Sequence, residues 1–147
     1  MEMITEKIIE KSSNKVWQTF TNFKDFPSWN PFIKRLWGKA KEGTFAIVFD
    51  YYFKHIYLPN FVKIYKSKEP NEICWRGGLV LLPKFLFHGD HQFLIVENNQ
   101  GVSTFIHKCQ LTGIFPKIFK IHIQSSIKRS QEEMMVKLRE LVLEKSL

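Results

Sequence analysis

The sequence predicts an α+β fold in which a curved, mainly antiparallel sheet wraps around one long C-terminal helix. Strand-like segments follow one another with turns of only a few residues, which favours antiparallel pairing. Residues 116–145 carry a helical apolar period over a length of about 45 Å. A sheet with one apolar face needs a cover, and no other segment is long enough to supply it. A sheet curved around a helix leaves space for an internal cavity.

The length and the cysteine content bound the class of protein. A chain of 147 residues suits one domain with a sizeable core, so a single domain over 1–147 is predicted. Cys74 and Cys109 have neither CxxC spacing nor the density of a disulfide scaffold, which favours the reducing cytoplasm. The N-terminal residues lack the apolar core of a signal peptide. The most apolar run, "LVLLPKFLF", is too short to span a membrane.

The formal net charge of +8 permits an anionic partner. The basic residues are scattered among apolar ones, which is typical of a solvated surface, so no nucleic-acid partner is expected. Transient contact with an acidic membrane is compatible with the loop at residues 77–89. The apolar residues of this loop cannot all be buried within one turn: Leu79, Val80, Leu81, Leu82, Phe85 and Leu86. Leu81, Leu82 and Phe85 are therefore predicted to form a portal beside Lys84, the alternative being a loop packed onto the terminal helix.

The first elements alternate between strand and helix. Residues 2–10 are rich in β-branched side chains and predict a strand. Helical spacing then begins after Ser12 or Ser13 and is expected to end between Asn22 and Asp25. The stretch "DFPSWNPFI" that follows holds two prolines, so it cannot be regular helix or strand throughout. It is predicted to form a corner that starts the next strand at Phe32.

The pattern in the middle of the chain predicts further strands. In one of them Phe45, Ile47, Phe49 and Tyr51 share one parity, while Ala46, Val48 and Asp50 share the other. The next hairpin is expected to turn at residues 69–71, with Ile73 and Trp75 on one face. Near the C-terminus, "KIFKIHIQ" alternates enough to be a strand, which leaves the start of the last helix open.

The clearest hairpin joins residues 87–96 to residues 102–111 through the polar turn "ENNQG". Alternate residues of the two arms are predicted to face the interior: Phe87, Gly89, His91, Phe93 and Ile95 in the first arm, and Phe105, His107, Cys109 and Leu111 in the second. A loop centred on Asn99 would place His91 opposite His107. One centred on Gln100 would pair His91 with Cys109 and His107 with Phe93. In both registers the two imidazoles are neighbours.

Four segments precede the long terminal helix in this order: "KVWQTFTNFKDFPSWNPFI", "WRGGL", "FHGDHQF" and "GVSTFIHKCQLTG". Through these segments and the helix, nearly the whole chain bears a resemblance to the polyketide cyclase/dehydrase-like family of the START (SRPBCC) superfamily. The resemblance implies the helix-grip fold, with two short helices after the first strand and a cavity between the sheet and the terminal helix. It also implies an apolar or aromatic small molecule as ligand. No catalytic triad accompanies the fold, so no catalytic residue is carried over.

The residues predicted to bind the ligand are aromatic or inward-facing strand residues, together with Met and Leu of the helix: Trp29, Phe49, Tyr51, Trp75, Phe87, His91, Phe93, Phe105, His107, Cys109, Met134 and Leu138. No cofactor is predicted. A metal site is not expected, because the histidines and Cys109 lack compact ligand spacing and show no evident carboxylate on the same face.

The sequence is compatible with two functions. The first is binding, as a carrier or a sensor, of a hydrophobic or aromatic small molecule in the cavity. The alternative is a cyclase/dehydrase-type enzyme in which His91 or His107 serves as acid or base, because imidazole titrates near neutral pH. The same histidines could instead be hydrogen-bonded structural residues.

Overall fold

Alternation of apolar and polar residues builds one antiparallel sheet of seven strands in the computed structural model, which describes residues 1–53 and 56–147. The strands are β1 (Glu2–Ile9), β2 (Ile33–Trp37), β3 (Phe45–Phe53), β4 (Ile56–Lys68), β5 (Glu72–Leu79), β6 (His88–Glu97) and β7 (Ser103–Thr112). Their order across the sheet is β1-β7-β6-β5-β4-β3-β2. All neighbours except β1 and β7 are therefore also consecutive in the chain, as short turns require.

Two short helices follow β1, as expected. The helices of the chain are α1 (Ser13–Phe20), α2 (Phe26–Trp29), α3 (Ile114–Ile118) and α4 (Lys120–Glu144), with a 3-10 helix at Phe23–Asp25 between the first two. The start of α1 is fixed from the β6–β7 turn: Glu97 Oε2 accepts hydrogen bonds from the backbone amide and the hydroxyl of Ser13, each 2.7 Å long. A carboxylate at a helix N-terminus satisfies amides that have no partner within the helix.

The register of β6 and β7 resolves the two alternatives for the hairpin. His91 pairs with Cys109, and Phe93 pairs with His107, so the turn is centred on Gln100. The Asn98 side chain accepts hydrogen bonds from the amides of Gln100 and Val102. The predicted inward face of β7 is confirmed, because its residues from Phe105 to Leu111 at every second position are buried.

An aromatic cluster centred on Phe20 fills the space between the sheet and the C-terminal half of α4. The Phe20 ring lies 4.8 Å from Phe93, 5.0 Å from Phe105 and 5.8 Å from Phe26, measured between centroids. Met134, Met135, Leu138 and Val142 of α4 are buried in the same core. The space between the sheet and this half of α4 is therefore filled, whereas space remains between the sheet and the other half of α4.

The corner at residues 25–33 leads into β2, which begins at Ile33, one residue after the predicted start. Asn30 Oδ1 accepts hydrogen bonds from the amides of Phe32 (2.9 Å) and Ile33 (2.8 Å), which fixes the turn that leads into β2. Trp29 is buried and meets the ring of Phe26 edge-on at 5.3 Å. Both residues thus hold the scaffold together.

The C-terminal helix is shorter than predicted. The segment "KIFKIHIQ" is helical, but the helix breaks at Phe119, whose φ of −102° and ψ of 26° lie outside the helical range. The 25 residues of α4 span about 37 Å instead of 45 Å. Within the described ranges, no helix is both long and apolar enough to cross a membrane.

Asn30→Ala is expected to lower the free energy of unfolding by about 2 kcal/mol, because two buried amides lose their acceptor. Asn14→Ala, which changes an exposed asparagine on α1, is the matched control and should stay within about 0.5 kcal/mol of the wild type. Urea denaturation of the three proteins measures both values. Equal stability of the two variants would show that the corner does not depend on Asn30.

Candidate ligand-binding cavity

A cavity of about 660 Å³ lies between the sheet and the N-terminal half of α4. Its volume is within the range of about 300–1,000 Å³ that small-molecule sites occupy. Its walls are mostly apolar and aromatic: Phe32, Ile33, Val48, Asp50, Tyr51, Leu58, Asn60, Val62, Trp75, Gly77, Leu79, Leu82, Phe87, Gly89, His91, Phe93, Leu111, Phe115, Phe119, His122, Ile123, Ser126 and Ile127. Strands β2 to β7 supply one wall, and α3 and α4 supply the other.

Two glycines on the sheet help to keep this space open. A Cβ atom at Gly77 would lie 2.0 Å from the carbonyl oxygen of Phe61 on β4, so no other residue fits without movement of the backbone. A Cβ atom at Gly89 would lie 3.2 Å from His91 Nε2 and 3.3 Å from a methyl carbon of Leu111. Both glycines line the cavity, and neither places a side chain in it.

A carboxyl group in the cavity wall is the main feature that sequence reasoning missed. Asp50 on β3 is half-buried, and its Oδ2 accepts a hydrogen bond of 2.7 Å from Asn60 Nδ2 on β4. Burial raises the pKa of Asp50 to about 7, because the charged form loses its hydration. Asp50 shares the parity of the buried residues Ala46 and Val48, and a charged residue in such a position was the signal that could have revealed it.

The two histidines form a pair at the cavity wall, in which half-buried His91 lines the cavity and buried His107 lies behind it. His91 Nδ1 lies 3.0 Å from His107 Nε2, and His91 Nε2 lies 4.0 Å from Cys109 Sγ. His107 Nδ1 is buried and has no hydrogen-bond partner in the part of the chain that the structure describes. A buried N–H without an acceptor is costly, which favours the tautomer in which His107 Nε2 donates to His91 Nδ1.

Burial also controls the charge of this pair. It lowers the pKa of His91 to about 4, and it lowers the pKa of His107 well below its usual value, with the neighbouring His91 adding to the effect. Both imidazoles are therefore neutral at pH 7. The Phe93 ring stacks on His107 at 4.1 Å, and His107 is fully buried behind it.

The structure separates the predicted ligand-binding and portal residues, apart from Phe49, into three groups. Those that line the cavity are Tyr51, Trp75, Phe87, His91 and Phe93, together with Leu82 of the predicted portal. Those that are buried outside the cavity lining are Trp29, Phe105, His107, Cys109, Met134 and Leu138. Leu81 and Phe85 of the portal are exposed. Trp29, Phe105, Met134 and Leu138 miss the cavity because they belong to the core around Phe20. His107 is covered by the Phe93 ring, and Cys109 is buried in a separate cluster with Met3, Phe87 and Leu111.

Phe49 requires a correction, because it lies on the outer face of the sheet. Its ring packs edge-on at 4.9 Å against Trp37, which is exposed, while its neighbours Val48 and Asp50 line the cavity. Alternation along β3 thus places Phe49 outside. Tyr51 has the same parity but reaches the cavity at a point where the pairing of β3 with β4 shifts register immediately afterwards.

The helical wall was also missed in part. Phe115, Phe119, His122 and Ser126 line the cavity from α3 and the first turns of α4, beside Ile123 and Ile127 of the predicted apolar stripe. The described residues contain no group of three or more His, Cys, Asp or Glu side chains arranged to hold a metal ion. The polar side chains that line the cavity include Asp50, Tyr51, Asn60 and His91 on the sheet and His122 and Ser126 on α4.

No family model matches the chain, and no curated protein matches it. Solved structures do. The Zhui aromatase/cyclase from Streptomyces sp. R1128 has a TM-score of 0.80 at 6% identity, over 100% of this chain and 96% of that one. A hypothetical protein from Helicobacter pylori has a TM-score of 0.79 at 12% identity, over 97% and 88%. A START superfamily protein from Mycobacterium smegmatis has a TM-score of 0.71 at 13% identity, over 95% and 98%.

These similarities confirm the fold prediction. The chain has the α+β helix-grip fold of START-type proteins and aromatase/cyclases, with a curled antiparallel sheet and a long C-terminal helix. At identities this low the similarity concerns the fold alone, and function has to be argued from the site.

Asp50→Asn is expected to change the pH dependence of stability in a defined direction. Because the pKa of Asp50 is raised to about 7 from 3.8, the folded protein binds more protons than the unfolded chain between these pH values. The free energy of unfolding of the wild type therefore falls through Asp50 as the pH rises from about 4 to about 7. The stability of the variant minus that of the wild type should grow by a few kcal/mol across this window and then level off.

Urea denaturation of both proteins between pH 4 and pH 8 measures this difference. The contribution of the histidine pair has the opposite slope, but it is present in both proteins and cancels. A difference that does not vary with pH would contradict the burial of Asp50.

Proposed function

We propose that the protein binds a hydrophobic or aromatic small molecule in the cavity, as a carrier or a sensor. The observation that carries the proposal is the cavity of about 660 Å³ walled by aromatic and aliphatic side chains. Side chains around an empty apolar space lose dispersion contacts, and an apolar ligand would restore them. The structural similarity to a START superfamily protein and to an aromatase/cyclase supports this function at the level of the fold.

The polar groups of the wall restrict the chemistry of the ligand. Asp50 and Asn60 are linked at 2.7 Å on one wall, and Ser126 of α4 also lines the cavity. With its pKa raised to about 7, Asp50 keeps its proton on a large fraction of molecules at neutral pH and can donate a hydrogen bond. The ligand that fits is thus an apolar or aromatic molecule with one carbonyl, hydroxyl or phenol group that reaches Asp50.

Leu79→Trp is expected to weaken ligand binding at least tenfold, because the added indole would occupy the cavity that Leu79 lines. Val96→Trp is the matched control, since Val96 lies exposed on β6 and does not line the cavity. Titration with the neutral apolar dye N-phenyl-1-naphthylamine, followed by fluorescence, measures the affinity of each protein. Thermal unfolding checks that both variants fold. Equal dye affinity of a folded Leu79→Trp variant and the wild type would place the binding site elsewhere.

The second candidate function is a proton-transfer enzyme of the cyclase/dehydrase type, and Asp50 is the observation that favours it. A carboxyl group with a pKa near 7 in a largely apolar cavity is suited to take up and return a proton, as dehydration or aldol cyclisation requires. His91 lines the cavity, but one ring nitrogen faces His107 and the other lies near Cys109. His107 does not line it and could act only through His91.

If the protein is such an enzyme, Asp50→Asn should reduce turnover of an aromatic β-hydroxyketone by a hundredfold or more, because proton transfer contributes about 10²–10⁴-fold. Binding of the compound should change little. Ser126→Ala, which alters another polar group of the cavity, is the control and should retain turnover. Product formation, followed by absorbance or mass spectrometry, checks this. Equal turnover by Asp50→Asn and the wild type would exclude Asp50, and His91→Gln then tests the remaining candidate.

A further inference from the structure

The cavity ends at a surface that is unusually apolar. Seven large apolar side chains of the β5–β6 loop, α3 and the first turn of α4 are exposed, and they are named here the apolar rim: Val80, Leu81, Phe85, Ile114, Ile118, Phe119 and Ile121. Leu81 is 91% exposed and Ile121 is 81% exposed. Single exposed apolar residues are common, but a group of this size calls for a partner.

Backbone hydrogen bonds hold the two segments of the apolar rim together. The amide of Ile114 donates to the carbonyl of Phe85 at 3.0 Å, and the amide of Phe115 donates to the carbonyl of Leu86, also at 3.0 Å. Gly113 connects β7 to α3 with a φ of 113°, and a Cβ atom there would lie 2.5 Å from the carbonyl oxygen of Leu86. The loop and α3 therefore form one surface.

The apolar rim is continuous with the cavity. Phe119 belongs to the rim and also lines the cavity. Leu82 and Phe115, which adjoin rim residues in the chain, line the cavity as well. An apolar molecule can thus pass between the cavity and the rim along side chains of its own polarity.

The two segments that carry the apolar rim hold charge of one sign. Residues 80–89 and 113–131 contain no Asp or Glu, and they contain Lys84, Lys117 and Lys120, which are exposed among the rim residues. Lys120 lies at the N-terminus of α4, where a positive charge opposes the helix dipole and is not placed to stabilise the helix. External anions at this surface would compensate both the dipole and the lysines.

We propose that the apolar rim docks onto an anionic phospholipid bilayer, with the mouth of the cavity facing the lipid. Exposed Leu, Ile and Phe side chains would enter the boundary between headgroups and acyl chains, and the lysines would contact lipid phosphates. Charge complementarity selects this partner, because an uncharged apolar partner would leave Lys84, Lys117 and Lys120 without anions. Membrane docking by the apolar rim is a separate property from ligand binding in the cavity. An experiment can therefore disprove the docking while ligand binding still holds.

Flotation of the full chain with phosphatidylcholine vesicles containing 30% phosphatidylserine tests the proposal. Binding should exceed that to pure phosphatidylcholine vesicles at least tenfold at low salt and should weaken as NaCl is raised to 0.5 M. Combining Leu81→Ser, Phe85→Ser and Ile121→Ser should reduce binding at least tenfold. The matched control combines Ile4→Ser, Ile8→Ser and Val96→Ser, which remove three exposed apolar side chains from the sheet, and should change binding less than threefold.

A second pair of variants separates the local charge from the net charge. Lys84→Glu, Lys117→Glu and Lys120→Glu together should reduce vesicle binding at least tenfold, whereas Lys15→Glu, Lys24→Glu and Lys39→Glu shift the net charge equally and should retain most of it. Equal loss in both triple variants, or equal binding to neutral and anionic vesicles, would overturn the proposal. A third outcome would also overturn the proposal: the wild type does not bind vesicles and forms a dimer in sedimentation velocity, and the triple Ser variant of the rim is a monomer. Because Leu81, Phe85 and Ile121 do not line the cavity, the variant that combines Leu81→Ser, Phe85→Ser and Ile121→Ser should bind the dye as the wild type does.

Discussion

The packing of Phe20 against the sheet is the contact on which the cavity depends. This one ring, brought from α1, touches Phe93, Phe105 and Phe26 and closes the space beneath the C-terminal half of α4. With that half filled, the helix can bridge the remaining space beside Gly77 and Gly89. The molecule therefore combines a dense core, which supplies stability, with an open pocket that the core does not need.

The apolar character of the cavity also determines the charge of its polar groups. A carboxyl group or an imidazole in a largely apolar pocket is driven toward its neutral form, and this is the direction of the pKa shifts of Asp50 and His91. The pocket thus presents hydrogen-bonding groups with little fixed charge. Such a pocket suits an apolar ligand with one polar group, and the +8 net charge is placed outside it, in part around the apolar rim.

The sequence was sufficient for the fold and for the β6–β7 face, because a period of two and a polar turn leave few alternatives for Phe93 or His107. It could not show which parity of β3 faces inward, since both carry apolar residues, and so Phe49 was assigned to the wrong face. Nor could the sequence show which half of α4 packs against the dense core and which half lines the cavity, because Met134 and Ile127 follow the same helical stripe. Only the distant contact with α1 distinguishes them.

Occupancy of the cavity by an apolar or aromatic molecule is the proposal on which the function rests. Native mass spectrometry of the protein, extracted without denaturant and ionised gently, tests this most directly. If the cavity is occupied, the measured mass exceeds that of the 147-residue chain, and an organic solvent should release an apolar compound with few polar groups. A chain that carries no additional mass, and that gains none from a mixture of apolar and aromatic compounds, would contradict it.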